Sequence, residues 1–262
     1  MRASLIQIAV DPDEPVESRR ARVARLVREE RGRAELVVLP ELWPMGAFAY
    51  EEFAAEAEPL KGPTYEAMAA AARDAEVWLH AGSVVEAASG GASGAALYNT
   101  SLVFSPDGEL AASYRKIHRF GFDKGEAVLM AAGEDLVTVD LPQLTVGVAT
   151  CYDLRFPELF RGLVDAGAQA FVVPAGWPAR RLAHWTLLAR ARAVENQAYV
   201  LACGTAGTHA GVEQAGHSIV VDPWGEVLAE AGPDEEILRV ELDPAKVTAT
   251  REQFPALKDR VL

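Results

Sequence analysis

Two strand-helix-strand units in succession open the chain, and that alternation restricts the fold more than any other feature of the sequence. Residues 4–10 (SLIQIAV) cluster β-formers, residues 16–31 have the spacing of an Arg-rich amphipathic helix, and residues 35–41 (ELVVLPE) make a short apolar strand ending in a carboxylate. The pattern then repeats: Pro63 starts an Ala-rich helix that runs to Glu76, and residues 78–86 (WLHAGSVVE) return to strand. Residues 89–96 (SGGASGAA) read as a flexible loop. Residues 97–105 and 109–115 read as a hairpin turned by Pro106-Asp107-Gly108.

Beyond a loop at 117–135, strands are expected near 136–141 and 144–150, a helix from Pro157, a strand at 169–175, a long helix at 179–197 and a strand at 198–205. Residues 216–232 form a second hairpin around Asp222-Pro223-Trp224-Gly225, residues 237–242 add a strand, and Asp243 to Leu262 read as an extended tail with little core potential. The count is roughly a dozen strands and four main helices, with no Pro- or Ser-rich linker. The second half loosely echoes the first. Helices alternating with strands, together with antiparallel hairpins, predict an α/β fold: one domain over 1–262, a layered sandwich of mixed sheets covered by helices.

Composition narrows the function. Of 262 residues, 50% are apolar and 24% charged, which excludes a disordered chain, and no apolar run is long enough to span a membrane. A net charge of −13 repels phosphate backbones and anionic lipid, so neither nucleic acid nor a membrane surface is an expected partner. Two cysteines cannot build a disulfide framework, and the first apolar run is too short for a secretory signal; both point to the cytoplasm. No paired Cys-x-x-Cys, no His-x-x-x-His and no Gly-rich dinucleotide fingerprint occurs, so neither a metal nor an organic cofactor is expected.

Cys151 closes an apolar strand and is followed by the helix start Phe156-Pro157-Glu158, the strand-to-helix position in which a helix dipole favours a thiolate. The competing reading is a small buried apolar residue, which is the whole reading for Cys203 in mid-strand. Glu41, just after Pro40, is a candidate base if desolvation lifts its pKa, and otherwise a surface carboxylate. Lys116 is either an oxyanion donor or one charge of the basic run Arg115-Lys116-Ile117-His118-Arg119. A Cys-His arrangement would draw on His80, His118, His184, His209 or His217, and none is distinguished by position.

The segments PELWPMG (40–46), YRKIHRFGF (114–122) and TCYDLRFPELFRGL (150–163) closely resemble the three signature segments of the nitrilase superfamily, the carbon-nitrogen hydrolases, in that family's order. HWTLLARARAVENQAYV (184–200) and GHSIVVDPWGEVLAEAG (216–232) are similar to its downstream pattern, so the resemblance spans nearly the whole chain and points to the omega-amidase and deaminated-glutathione-amidase branch. It implies a four-layer α-β-β-α sandwich that pairs into homodimers. It also implies a Glu-Lys-Cys triad: Glu41 as general base, Lys116 stabilising the tetrahedral intermediate with the Tyr152 backbone N–H, and Cys151 as nucleophile. Glu126 matches the family's second carboxylate, and Arg155 matches an Arg that clamps a substrate carboxylate, with an internal ion pair to Asp153 or Glu158 as its alternative. Residues 177–182 (WPARRL) depart from those branches, which usually carry small residues there. Trp177 is expected to shorten the pocket, and Arg180 and Arg181 to be solvated helix-start charges or a second anion contact.

The implied activity is hydrolysis of a small carboxylate-bearing amide to acid and ammonia through a thioester on Cys151, with no cofactor. An N-carbamoyl hydrolase or a nitrilase is the alternative within the family, and a non-catalytic binding protein with this fold the alternative outside it.

Overall fold

Along β1 (Arg2–Gln7) and β2 (Leu36–Val38), successive side chains are buried on opposite faces: Leu5, Leu36 and Val38 enter one core, Ile6 and Val37 another. Strands covered on both faces read as unbroken apolar runs, which is why these segments showed little alternation in sequence. The computed structural model describes residues 1–91 and 94–261. Its first half continues with α1 (Val16–Arg28) and α2 (Pro63–Ala75), then β3 (Trp78–Gly91), β4 (Gly94–Phe104) and β5 (Leu110–Arg115), and a single helical turn, α3 (Glu126–Leu129). The second half runs β6 (Thr138–Asp140), β7 (Thr145–Val148), α4 (Pro157–Asp165), β8 (Ala170–Ala175), α5 (Leu182–Asn196) and β9 (Tyr199–Gly204). It closes with β10 (Thr208–His209), β11 (Val212–Glu213), β12 (Ile219–Val221), β13 (Val227–Glu230), β14 (Glu236–Glu241) and α6 (Ala245–Gln253).

Two six-stranded mixed sheets result, ordered β14-β1-β2-β3-β4-β5 and β6-β7-β8-β9-β12-β13, with β10 and β11 as a separate pair. Each large sheet pairs in the same sequence along that order: antiparallel, parallel, parallel, antiparallel, antiparallel. The echo between the halves is thus a repeated pairing pattern. The sheets meet face to face through Leu5, Val38 and Val103 on one side and Val148, Val172 and Leu201 on the other. Helices α1 and α2 cover the outer face of the first sheet with Val23, Val27 and Met68; α4 and α5 cover the second with Phe160, Leu163 and Trp185. The architecture is a four-layer α-β-β-α sandwich.

Three expectations need correction. Residues 89–96 are not a loop in their described part: β3 extends to Gly91 and β4 begins at Gly94, held by ladder pairs such as Ala88 with Ala96, while residues 92 and 93 lie outside the described residues. Cross-strand pairing here overrides the weak strand preference of Gly, Ser and Ala. The tail is not extended, because α6 buries Val247 and Thr250 and is followed by a 3₁₀ turn at Ala256–Asp259. The helix expected from residue 179 begins as a 3₁₀ turn, Ala179–Arg181, before α5.

Candidate active site

Glu41 follows β2 through Pro40, and its backbone is fixed from the neighbouring strand. Gly82, at φ +67° within an irregular stretch of β3, lies so close to Pro40 that an added Cβ would come 2.0 Å from the Pro40 carbonyl oxygen. The Ser83 hydroxyl accepts the Leu42 N–H at 3.0 Å, and the Trp43 indole N–H donates to the Ala81 carbonyl at 2.9 Å. These contacts turn the Glu41 side chain into the interior, where it is 1% exposed. Lys116 leaves the end of β5, its N–H continuing the ladder to the Asn99 carbonyl.

The Lys116 ammonium donates to Glu41 Oε1 and to Glu126 Oε2, both at 2.7 Å. The Asn99 amide spans the same two carboxylates, donating to Glu41 Oε1 at 2.9 Å and to Glu126 Oε1 at 2.5 Å. Glu41 Oε2 accepts the Gly176 N–H at 2.8 Å, and Glu126 Oε2 accepts the Phe120 N–H at 2.7 Å. Burial opposes the charge on Lys116, but Glu126 and Glu41 outweigh it and hold the ammonium well above its ordinary range. Burial lifts Glu126 above the usual carboxylate value; Lys116 pulls against that and Glu41 adds to it. The cluster is a buried, hydrogen-bonded ion triad and not a solvated basic turn.

Cys151 follows β7 after Ala149 and Thr150, with φ +47°, at the start of a 3₁₀ turn, Cys151–Arg155. Its Sγ lies 3.9 Å from the Gly176 carbonyl oxygen, so the Gly176 residue touches Glu41 through its N–H and the sulfur through its C=O. The turn is anchored by Asp153, fully buried, whose Oδ2 accepts the Thr150 N–H and the Tyr114 hydroxyl at 2.8 and 2.7 Å. Asp153 Oδ1 accepts the His118 N–H at 3.0 Å and meets His118 Nδ1 at 2.8 Å. One carboxylate therefore ties the Cys151 turn to residues on both sides of Lys116. The expected thiolate is corrected: burial, then the Glu41 charge, push the Cys151 thiol well above its usual range, with Lys116 opposing. The start of α4 at Pro157 is six positions away, beyond the first turn in which a helix terminus acts.

The sulfur lines a pocket whose walls also include Glu41, Lys116, Glu126 and Tyr152. Arg155, Trp177 and Arg181 line it as well. The Arg155 guanidinium lies 5.0 Å from the centre of the Trp177 ring and donates to His184 Nδ1 at 3.2 Å. Asp153 is engaged with His118, and among the described residues Arg155 makes no ion pair with Asp153 or Glu158, so the internal pair considered for it is not seen there. Arg181 is half-buried against Phe120, 5.2 Å from the ring centre, whereas Arg180 is exposed. The solvated reading thus holds for Arg180 and fails for Arg181.

A model of the family described as carbon-nitrogen hydrolase matches residues 2–252. The chain belongs to the carbon-nitrogen hydrolase family. It is 43% identical over 260 residues to a 2-oxoglutaramate amidase of Paenarthrobacter nicotinovorans, covering 97% of this chain and 87% of the relative. An omega-amidase of Mus musculus is 37% identical over 270 residues, covering 99% and 94%. The structure of Nit3 from Saccharomyces cerevisiae, a member of branch 10 of the nitrilase superfamily, superposes with a TM-score of 0.88 at 33% identity, over 100% of this chain and 97% of that one. The protein is a hydrolase of carbon-nitrogen bonds other than peptide bonds, of the amidase kind.

In this carbon-nitrogen hydrolase no histidine among the described residues lines the pocket with the sulfur. His118 serves Asp153, His184 meets Arg155, His217 meets Glu230, and His80 and His209 are buried, held neutral down to about pH 4 by burial. Among the described residues no cluster of three or more His, Cys, Asp or Glu could hold a metal ion. Cys203 faces the inter-sheet core, its sulfur against the Ile6 and Val38 carbonyls at 3.5 and 3.4 Å. Sequence reasoning missed Asn99, Gly176 and Asp153. Asn99 had a signal, a carboxamide in an otherwise β-forming run, and Gly176 is a place where an added Cβ would fall 2.4 Å from that of Ala47.

Proposed function

We propose that this enzyme hydrolyses small amides bearing a carboxylate, with Cys151 as nucleophile, Glu41 as general base and Lys116 as the oxyanion's cation. The observation that carries this reading is the shared wall of the pocket, which brings together a buried thiol, two buried carboxylates and a buried ammonium with two half-buried guanidiniums. Glu41 takes the thiol proton as sulfur adds to the amide carbon. The new oxyanion is met by the Lys116 ammonium and the Tyr152 N–H. Glu41 returns the proton to nitrogen, the C–N bond breaks and ammonia leaves a thioester. Water, deprotonated by Glu41, then releases the acid and the thiol is restored. Because burial and the neighbouring Glu41 favour the thiol over the thiolate, proton removal by Glu41 accompanies attack. Glu126 holds the ammonium in place together with Glu41, and Arg155 and Trp177 receive the substrate's carboxylate end.

The test is a coupled ammonia assay over 2-oxoglutaramate, other carboxylate-bearing amides, N-carbamoyl amino acids and nitriles. Turnover of the amides that vanishes in Cys151→Ala is expected. Turnover confined to carbamoyl compounds or nitriles would overturn the substrate assignment.

The same reading places residues 1–262 in one domain, in the cytoplasm, as a homodimer. Support for the dimer comes from Leu187, 65% exposed, and Val194, 52% exposed, which lie on α5 beside the exposed Val227 of β13. Light scattering returning a mass of 28.1 kDa, that of one chain, would reject it. No helix among the described residues is long and apolar enough to cross a membrane, and both cysteines are free, as a reducing compartment requires.

A further inference from the structure

The pocket holds more positive charge than carboxylate recognition by a single Arg accounts for. Arg155 and Arg181 both line it, and neither has a carboxylate partner among the described residues, although the protein is strongly acidic and pairs most of its other arginines. Their placement is built. The indole N–H of Trp177 donates to the Arg181 carbonyl at 2.8 Å, while the face of the same indole carries the Arg155 guanidinium. Trp177 is itself 3% exposed and packs against Trp185 at 5.4 Å. One rigid ring thus fixes the backbone of one arginine and the side chain of the other. From that anchor the Arg181 side chain reaches Phe120, on the segment that also feeds its N–H to Glu126.

Holding this arrangement without an anion is unfavourable. Burial, then the charges of Arg180 and Arg155, disfavour the cationic form of Arg181. With every group ionised, the pocket sets two carboxylates, Glu41 and Glu126, against three cations, Lys116, Arg155 and Arg181. One net positive charge is left, which one carboxylate neutralises. Without Arg181 the count would be even, and a bound carboxylate would leave one negative charge with no counter-charge in the pocket.

We propose that Arg181 is a specificity-determining residue of this amidase: with Arg155 it forms a two-guanidinium clamp that selects amides whose far end carries a single carboxylate over neutral amides. The inference rests on the amidase reading but concerns a residue outside its catalytic group. A planar guanidinium donates in a fork, so two of them can share one carboxylate or take a carboxylate and an adjacent oxo group together.

The test compares glutaramate with pentanamide, its neutral counterpart of the same chain length, in the full-length enzyme and in Arg181→Ala and Arg181→Lys. For Arg181→Ala the ratio of kcat/KM for glutaramate to that for pentanamide is expected to fall roughly 10- to 100-fold, carried mainly by the KM for glutaramate, with part of the ratio recovered in Arg181→Lys. A merely structural role would lower both substrates alike and leave the ratio unchanged, which would overturn the proposal. Calorimetric titration of Cys151→Ala with glutaramate separates this from failure of the amidase reading, because binding needs no turnover. Adding Arg181→Ala should weaken that binding by about the same factor, and equal affinity in the two proteins would reject the clamp.

Discussion

Glu41 and Lys116, 75 positions apart in sequence, meet at 2.7 Å in a buried ion pair whose carboxylate also faces Cys151. The pair sets the sign of several effects. The two carboxylates that flank the ammonium favour its charged form against burial, while burial, reinforced by Glu41, pushes the Cys151 thiol above its ordinary range.

Replacing Glu41 with Gln removes the negative charge that helps to keep the thiol protonated, while Lys116 stays and favours the thiolate. Iodoacetamide at a fixed mildly alkaline pH should therefore label Cys151 faster in Glu41→Gln than in the wild type. Amide turnover in the same variant should fall by about 10²- to 10⁴-fold, the span of a lost general base. Slower labelling together with full turnover would contradict both roles. Cys203, sealed between the sheets, should label only on unfolding.

Asp153→Asn replaces a carboxylate that is fully buried and serves four polar groups of Thr150, Tyr114 and His118. The amide nitrogen cannot accept the two bonds now made to Oδ2. A loss of about 2–4 kcal/mol is expected in urea unfolding, and kcat should fall further than KM rises because the Cys151 turn loses its tie to Lys116. A stability within 0.5 kcal/mol of wild type, the usual scatter of neutral substitutions, would mean that the clamp is not structural.

At Gly82, alanine would meet the Pro40 carbonyl oxygen at 2.0 Å in a left-handed backbone conformation. Gly82→Ala should cost more than about 2 kcal/mol by denaturation and, by pushing Pro40, displace Glu41 and lower kcat. Unchanged kcat in a folded protein would show that the Glu41 turn does not depend on this contact.

Acid should destabilise the fold before the carboxylates titrate. His80 and His209 have pKa values lowered by burial from 6.5 to about 4, so the unfolded chain binds their protons first. Stability is then full above about pH 6.5 and declines as pH falls toward 4, by an order of 2 kcal/mol per histidine at pH 5. The raised Glu126 acts in the opposite sense and offsets part of the loss. Urea unfolding at pH 7.5 and pH 5 measures the difference, and equal stabilities would contradict it.

The strand-helix repeats and both tight turns were legible because Pro, Gly and the apolar runs act locally. Residues Asp222 to Gly225 do turn the β12–β13 hairpin, with Asp222 accepting the Trp224 and Glu226 N–H groups. What failed depends on distant partners. The small residues at 87–91 hold strand only because β4 pairs with them, and α6 earned no helix expectation because its buried side is just Val247 and Thr250, with Arg251 fastened to carbonyls of Ala168 and Gln197. At the site, Glu41, Lys116 and Cys151 stood out by resemblance and by their places at strand ends. Asn99 and Asp153 join segments that no spacing connects, and the protonation of Cys151 follows from burial and Glu41, which outweigh a helix start too far along the chain.

The most direct measurement is the intact mass of the enzyme quenched in acid during turnover of 2-oxoglutaramate, followed by peptide mapping. An adduct of the substrate less ammonia is expected on the Cys151 peptide, absent in Cys151→Ala, whose ammonia release should be lower by roughly 10⁴-fold or more. Ammonia release at the wild-type rate by Cys151→Ala, or an adduct on another residue, would contradict a thioester on Cys151.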